Sequence, residues 1–178
     1  MNPQELIHKY YADEPRLEHL LLEHSGQVMQ RALSVAERHP ELGLDTRFLG
    51  EAAMLHDIGI LRCDAPGIYC HGTEPYIRHG LLGGEMLRSE GLPRHARVAE
   101  RHTGTGLTRE AIRRQQLPLP DMDLVPETLE EQVVCYADKF YSKSRPEVEK
   151  TPQQAEHSLE KFGPECVLQF RRWHEMFG

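Results

Sequence analysis

The sequence lacks the long apolar runs that proteins use to enter membranes. No stretch approaches the roughly 20 apolar residues that a helix needs to cross a bilayer. The first residues also lack the basic segment followed by an apolar one that is typical of a secretory leader. We therefore expect a cytoplasmic protein with no membrane partner.

Cysteine is scarce, and its spacing does not indicate a disulfide framework. None of the four cysteines forms a CxxC pair; they are Cys63, Cys70, Cys135 and Cys166. We expect reduced thiols in a reducing compartment. A thiolate metal centre in the segment 63–71 would need mixed ligands without a second cysteine pair, so we do not favour it.

An excess of positive charge is also missing. The chain has 21 Lys and Arg residues against 28 Asp and Glu residues, which gives a formal net charge of -7. Proteins that bind nucleic acid duplexes neutralise phosphates with a basic surface, so we expect no duplex binding here. An anionic substrate remains compatible with this charge, because bound divalent metal ions reverse the local sign of the field.

Strand patterns are missing as well. No segment shows a convincing alternation of β-branched and polar residues, and almost every segment has a helical period. We predict an all-α fold, a single-domain helical bundle of about seven or eight helices over residues 1–178. Its core is expected at about 17–144, with a helical extension over 145–178 packed on it. Residues 61–73, which have no period, are expected to form a loop over the mouth of a site.

Histidine, by contrast, is abundant, with eleven in 178 residues. The central stretch is Leu55-His56-Asp57-Ile58-Gly59, in which a helix with a broad apolar side ends on an imidazole and a carboxylate. We expect Gly59 to let the backbone turn away. A buried carboxylate in such a position needs a cation or several hydrogen-bond donors.

Four further residues of this kind lie on apolar helix faces or at helix ends: His24, His79, His102 and Asp138. A lone histidine on such a face is more often a hydrogen-bonded core residue than a ligand. Six such groups in one small domain indicate a common metal centre, because one site then satisfies all of them. Imidazoles and carboxylates without thiolate suit divalent transition metals, namely Fe, Mn, Co, Ni or Zn.

These residues resemble the signature of a known family. In order, His24, the HDIG stretch at 56–59 and Asp138 look like the HD superfamily of metal-dependent phosphohydrolases. His79 and His102, each followed by a small residue, are similar to the extra histidines of its two-metal branch. That branch includes cyclic-dinucleotide phosphodiesterases and hydrolases of diadenosine polyphosphates. The resemblance covers residues 17–141.

The resemblance implies a ligand set and a reaction. Asp57 would bridge two metal ions, with one coordination sphere completed by His24, His56 and Asp138, and the other by His79 and His102. Two metal ions can hold a hydroxide between them and stabilise a phosphoryl group under attack. The implied substrate is a small phosphorylated compound, nucleotide-like, that is cleaved at a phosphoester or phosphoanhydride bond. Besides Asp57, the catalytic candidates are the cations Lys139 and Arg101.

The sequence also departs from the family pattern. Members with the HDIG form often carry a lysine directly after the glycine, where it contacts phosphate, and this chain has Ile60 there. The GYP-type motif of the cyclic-dinucleotide branch is absent. A minority of HD-fold proteins use a di-iron centre to activate oxygen, and a degenerate module could bind a nucleotide and regulate a partner without turnover. Both alternatives stay open, as does a homodimer.

Overall fold

Helices account for most of the architecture in the computed structural model, which describes residues 1–178 without a gap. The nine α-helices are α1 (Pro3–Tyr11), α2 (Pro15–Arg38), α3 (Thr46–Leu55), α4 (His79–Ser89), α5 (Pro93–Arg101), α6 (Arg109–Arg114), α7 (Leu129–Asp138), α8 (Pro152–Leu159) and α9 (Pro164–Phe177). The predicted all-α fold class is confirmed. None of these helices combines the length and the apolar character that a membrane span requires.

The helix that the sequence reading missed is α1. The Asn2 side chain caps it by accepting hydrogen bonds from the backbone N–H groups of Gln4 and Glu5, and Pro3 occupies the first turn. Leu6 and Tyr11 are among its buried residues. A helix of nine residues gains little stability by itself, so packing on the rest of the chain sustains it.

Side-chain caps begin several of the other helices, as Asp and Thr before an apolar helical pattern predict. Asp45 accepts a hydrogen bond from the Phe48 N–H at the start of α3. Thr128 and Glu131 form a complete capping box at the start of α7. These caps fix where α3 and α7 begin, and therefore which residues they deliver at their ends.

Two apolar clusters form the core, and α2 contributes to both. The larger cluster joins one half of α2 to α3, α7, α8 and α9, and it contains Phe170, Trp173 and Phe177 of the last helix. The second cluster joins the other half of α2 to α1, α4 and α5. His24 lies between these two halves of α2, and its side chain is buried.

A small three-stranded sheet occupies the segment that was expected to be only a loop. Its strands are β1 (Cys63–Ala65), β2 (Cys70–His71) and β3 (Glu74–Pro75). β1 pairs antiparallel with β2 and parallel with β3. Strands of two or three residues carry no measurable alternation, which explains why the sequence did not predict them.

Two helix boundaries differ from those expected. The helical period predicts a helix from about Glu74 to Glu90, but α4 begins at His79 because the 3₁₀ turn Tyr76–Arg78 precedes it. The capping box at Thr128 and the helical period after it predict a helix to about Ser144, but α7 ends at Asp138. Beyond α7 the chain turns back on itself, and the Lys150 N–H donates to the Phe140 carbonyl oxygen at 2.8 Å.

Candidate metal centre

Asp57 lies at the centre of a buried cluster of histidines and carboxylates. Its Oδ2 atom is 3.1 Å from Nε2 of His24 and 2.9 Å from Nε2 of His56. Asp138 approaches the same two imidazoles, with Oδ1 at 3.1 Å from His24 and 3.5 Å from His56. These four residues therefore form one group that could hold a metal ion.

The other oxygen of Asp57 faces a second group. Oδ1 lies 3.4 Å from Nε2 of His79 and 3.3 Å from Nε2 of His102. Together with Asp57, these two histidines form a second set of candidate metal ligands. The two oxygens of a single carboxylate are thus directed at two separate sets of imidazoles.

Five segments deliver the six side chains. His24 comes from α2, His56 and Asp57 follow the end of α3, His79 begins α4, His102 follows α5 and Asp138 ends α7. Most of the cluster thus comes from helix ends, where the chain can change direction.

The glycine after the His-Asp pair is required by close packing. A Cβ atom at Gly59 would lie 2.1 Å from the carbonyl oxygen of His79 and 2.3 Å from the backbone nitrogen of Gly83. The φ angle of Gly59 is not positive, so the expected special turn is not the reason for the glycine. Instead, its small size lets the turn after Asp57 lie directly against α4, which brings His79 to the carboxylate.

Three of the histidines have their tautomer fixed by backbone carbonyls. Their Nδ1 atoms lie 2.7 Å from the carbonyl oxygen of the residue three positions earlier, in the pairs His56 with Ala53, His79 with Tyr76 and His102 with Ala99. A carbonyl oxygen only accepts hydrogen bonds, so each Nδ1 carries the proton. Each Nε2 atom then faces the cluster and is the nitrogen that would bind a metal ion.

The imidazoles of His79 and His102 meet in an unusual way. Their Nε2 atoms are 2.9 Å apart. Burial, followed by the neighbouring His102, lowers the pKa of His79 to about 3. Burial also lowers the pKa of His102. With both rings neutral and both Nδ1 protons engaged, two lone pairs face each other, which is repulsive unless a cation lies between them.

The carboxylates attract positive charge strongly. Burial alone would lower the pKa of His56, but Asp57 and then Asp138 raise it to about 9. Burial alone would raise the pKa of Asp57, but the charges of His56 and Lys143 outweigh it and hold the pKa well below its usual range. The cluster thus favours bound cations over uncharged partners.

The donor set fits metal ions. Several of its buried atoms have no hydrogen-bond partner: Nδ1 and Nε2 of His24, Nε2 of His56, and both carboxylate oxygens of Asp57. Buried polar atoms are rarely left unpaired in proteins. Metal coordination would satisfy the Nε2 atoms and the carboxylate oxygens together, and nitrogen and oxygen ligands suit divalent transition metals.

Lys143 is a member of the site that the sequence analysis missed. Its ammonium nitrogen lies 2.5 Å from Oδ2 of Asp57, an ion pair whose geometry is not that of a hydrogen bond. Burial would lower the pKa of Lys143, but Asp57 raises it above its ordinary value. A lysine in a polar Ser-Lys-Ser segment looks like a surface residue, and no local signal indicates that this segment turns back to the centre.

Of the two predicted cations, Lys139 lies at the edge of the cluster and Arg101 does not. The Lys139 ammonium is 2.7 Å from Oδ2 of Asp138 and donates to the His102 carbonyl oxygen at 2.9 Å. It therefore ties two members of the cluster together. Arg101 pairs with its neighbour Glu100 at 3.3 Å, and the structure does not bring it to the cluster.

A cavity of about 430 Å³ opens beside the centre. Asp138 and Lys143 line it, together with the side chains of Tyr76 and Tyr141. The remaining lining residues are Ala65, Gly67, Ile68, Ser142 and Ser144. The segment 61–73 thus does border the mouth of the site, although part of it is sheet.

Comparison with known proteins identifies the family. The model of the HD domain family matches residues 21–142. The uncharacterized protein MJ0778 of Methanocaldococcus jannaschii is 36% identical over 152 residues, which cover 79% of this chain and 82% of that protein.

Two longer relatives are named as methyltransferases. A tRNA (cytidine(56)-2'-O)-methyltransferase of Picrophilus torridus is 34% identical over 155 residues, and one of Thermoplasma volcanium is 31% identical over 140 residues. The matches cover 82% and 78% of this chain. However, the chain spans only 40% and 35% of the two methyltransferases.

A solved structure has the same fold. The HD domain of the phosphodiesterase PgpH from L. monocytogenes matches with a TM-score of 0.55 and 18% identity, over 94% of this chain and 93% of that one. All six members of the cluster lie inside the residues that the family model matches. The chain belongs to the HD domain family.

Proposed function

We propose that this protein is a metal-dependent phosphohydrolase in which Asp57 bridges two divalent transition-metal ions. The observation that carries the proposal is the direction of the two Asp57 oxygens. Oδ2 faces His24 and His56, and Oδ1 faces His79 and His102. A carboxylate shared between two sets of imidazoles is the arrangement that a two-metal hydrolytic site requires.

Bound metal ions would supply an activated hydroxide and would stabilise the charge on a phosphoryl group. The chain's own residues orient the metal ligands and leave room for the substrate. Carbonyl contacts hold the Nδ1 protons of His56, His79 and His102 and direct their Nε2 atoms inward, where metal ions would bind. Lys139 fixes the Asp138 carboxylate through its 2.7 Å ion pair, and the 430 Å³ cavity beside Asp138 admits the substrate.

The proposed substrate is a small nucleotide-like phosphoester or phosphoanhydride. The cavity has the size of a small-molecule site and carries two tyrosines, Tyr76 and Tyr141, whose rings suit a nucleobase. The PgpH HD domain, which shares the fold, was solved in complex with cyclic-di-AMP. We extend nucleotide binding, but not that particular ligand, to this chain.

We do not assign the activity of the methyltransferase relatives to this chain. This chain spans less than half of each, so their activity need not reside in the shared part. Methyl transfer also gives no reason to bury six histidine and carboxylate ligands around one point. The cluster therefore favours hydrolysis.

The test is turnover with different metals. Purified protein is stripped of metal, reconstituted without oxygen with Fe, Mn or Zn, and assayed against nucleotides and simple phosphoesters. We expect release of phosphate or nucleoside monophosphate with a redox-inert metal as well as with iron, and none from the His56→Ala variant. Activity that requires iron and consumes oxygen would instead identify an oxygenase, and binding without turnover would identify a regulatory module.

A further inference from the structure

We propose that Lys143 binds an ionised oxygen of the substrate's phosphoryl group at the mouth of the metal centre. This inference rests on the proposed function and assigns the phosphate contact to a residue outside the cluster of metal ligands. It restricts the substrate to compounds that present an anionic phosphoryl oxygen to the cavity.

The first support is the position of the ammonium group. Lys143 lines the same cavity as Asp138, and its nitrogen lies 2.5 Å from Oδ2 of Asp57. It is the one lysine or arginine among the nine lining residues. Any group that enters the cavity and reaches metal ions held by Asp57 and Asp138 therefore meets this cation.

The second support is that the segment carrying Lys143 is held in place. Gln27 of α2 donates to the Pro146 carbonyl oxygen at 2.7 Å, and Arg31 of α2 pairs with Glu149 at 2.6 Å. The Lys150 N–H closes the segment on the Phe140 carbonyl oxygen. A surface lysine loses much conformational freedom when it binds a ligand, whereas a fixed one loses less, so Lys143 is already positioned for binding.

The third support is the charge of the loaded site. The ligand imidazoles are neutral when they bind metal, so Asp57 and Asp138 supply the negative charge. Two divalent ions exceed that charge, and the ammonium groups of Lys139 and Lys143 add to the excess. Once metal ions neutralise Asp57, Lys143 needs another anion, and a phosphoryl group in the cavity provides it.

A measurement of phosphate binding distinguishes a phosphate-binding role of Lys143 from the role of a structural counter-ion for Asp57. Inorganic phosphate is titrated by calorimetry into Mn-saturated wild type, Lys143→Met, Lys143→Arg and the exposed control Lys161→Met, with metal content measured on each sample. We expect Lys143→Met to keep its metal ions and to bind phosphate about tenfold more weakly or worse. We expect Lys143→Arg to retain most of the affinity and Lys161→Met all of it.

The outcomes distinguish the two proposals. Equal phosphate affinity in wild type and Lys143→Met, at equal metal content, would overturn the role of Lys143 and leave the proposed function standing. Wild-type protein that takes up no metal, or binds no phosphate when loaded, would overturn both. If Lys143→Met loses metal or fails to fold by circular dichroism, Lys143→Gln is measured in its place. If that variant too loses metal or fold, Lys143 is a structural counter-ion and the assignment is wrong.

Discussion

The Nε2 atoms of His79 and His102 face each other at 2.9 Å while both Nδ1 protons are held by backbone carbonyls. Because this arrangement needs a shared cation, we predict that His79→Ala and His102→Ala each reduce bound metal from two ions per chain towards one. Elemental analysis of the purified variants measures this. His95→Ala is the matched control, because His95 is also buried but pairs with Glu51 outside the cluster. Two metal ions in both cluster variants would make these histidines merely structural.

Lys139 is predicted to act on the metal centre without touching the substrate. Its ammonium holds the Asp138 carboxylate and the His102 carbonyl oxygen. Lys139→Met frees both groups, and partners of this kind typically contribute about 10- to 100-fold to metal affinity. Competition with a chelator measures the loss, and Lys9→Met, which removes a surface pair with Glu90, is the control. Unchanged metal affinity in Lys139→Met would exclude the positioning role.

Tyr11 is predicted to stabilise the turn that follows the His-Asp pair. Its hydroxyl donates to the Ile58 carbonyl oxygen at 2.6 Å and accepts from the Leu61 N–H at 3.1 Å. Tyr11→Phe removes both of these hydrogen bonds from the interior, at a cost of roughly 1–3 kcal/mol in the free energy of unfolding. Urea unfolding of metal-free protein measures it. The control is Tyr10→Phe, because the Tyr10 hydroxyl contacts Glu90 near the surface, and we expect a smaller loss of unfolding free energy there. Equal losses in the two variants would contradict the account.

The thiols of Cys63, Cys70 and Cys135 are predicted to be unreactive at mildly alkaline pH. Burial raises the pKa of Cys63 and of Cys135 to about 12, and that of Cys70 to about 11. Only the thiolate reacts, and its fraction grows as the pH rises towards the pKa, so at pH 8 these groups stay protonated. We expect slow labelling by a thiol reagent in native protein and complete labelling of all four cysteines after denaturation. Fast native labelling at pH 8 would show that these thiols are accessible.

Local sequence patterns predicted the helices well and their last turns poorly. The caps Asp45 and Thr128 mark the starts of α3 and α7, because capping depends on residues three positions apart. The end of α7 at Asp138 is different. It depends on the later chain returning to Phe140 through Lys150, and no short pattern reports such a contact.

The ligand candidates, like the caps, could be predicted from local sequence patterns. A histidine on an apolar stripe, such as His24, stands out because burying it alone is costly. Of the cations, Lys139 was predicted and does lie against Asp138, whereas the positions of Arg101 and Lys143 were not predictable. Arg101 directly precedes His102, but its side chain pairs with Glu100, and no local sequence pattern indicates which neighbour an arginine side chain will reach. Lys143 approaches Asp57 from a segment 86 positions later in the chain, and this contact exists only in the folded protein.

Metal content tests the central claim most directly. Wild type, Asp57→Ala and the exposed control Asp64→Ala are purified, reconstituted without oxygen with Fe or Mn, and submitted to elemental analysis. The account predicts about two transition-metal ions per chain in wild type and Asp64→Ala, and loss of both in Asp57→Ala, because that carboxylate serves both sets of ligands. Full metal content in Asp57→Ala would contradict the bridging role, and wild type without metal would contradict the hydrolase itself.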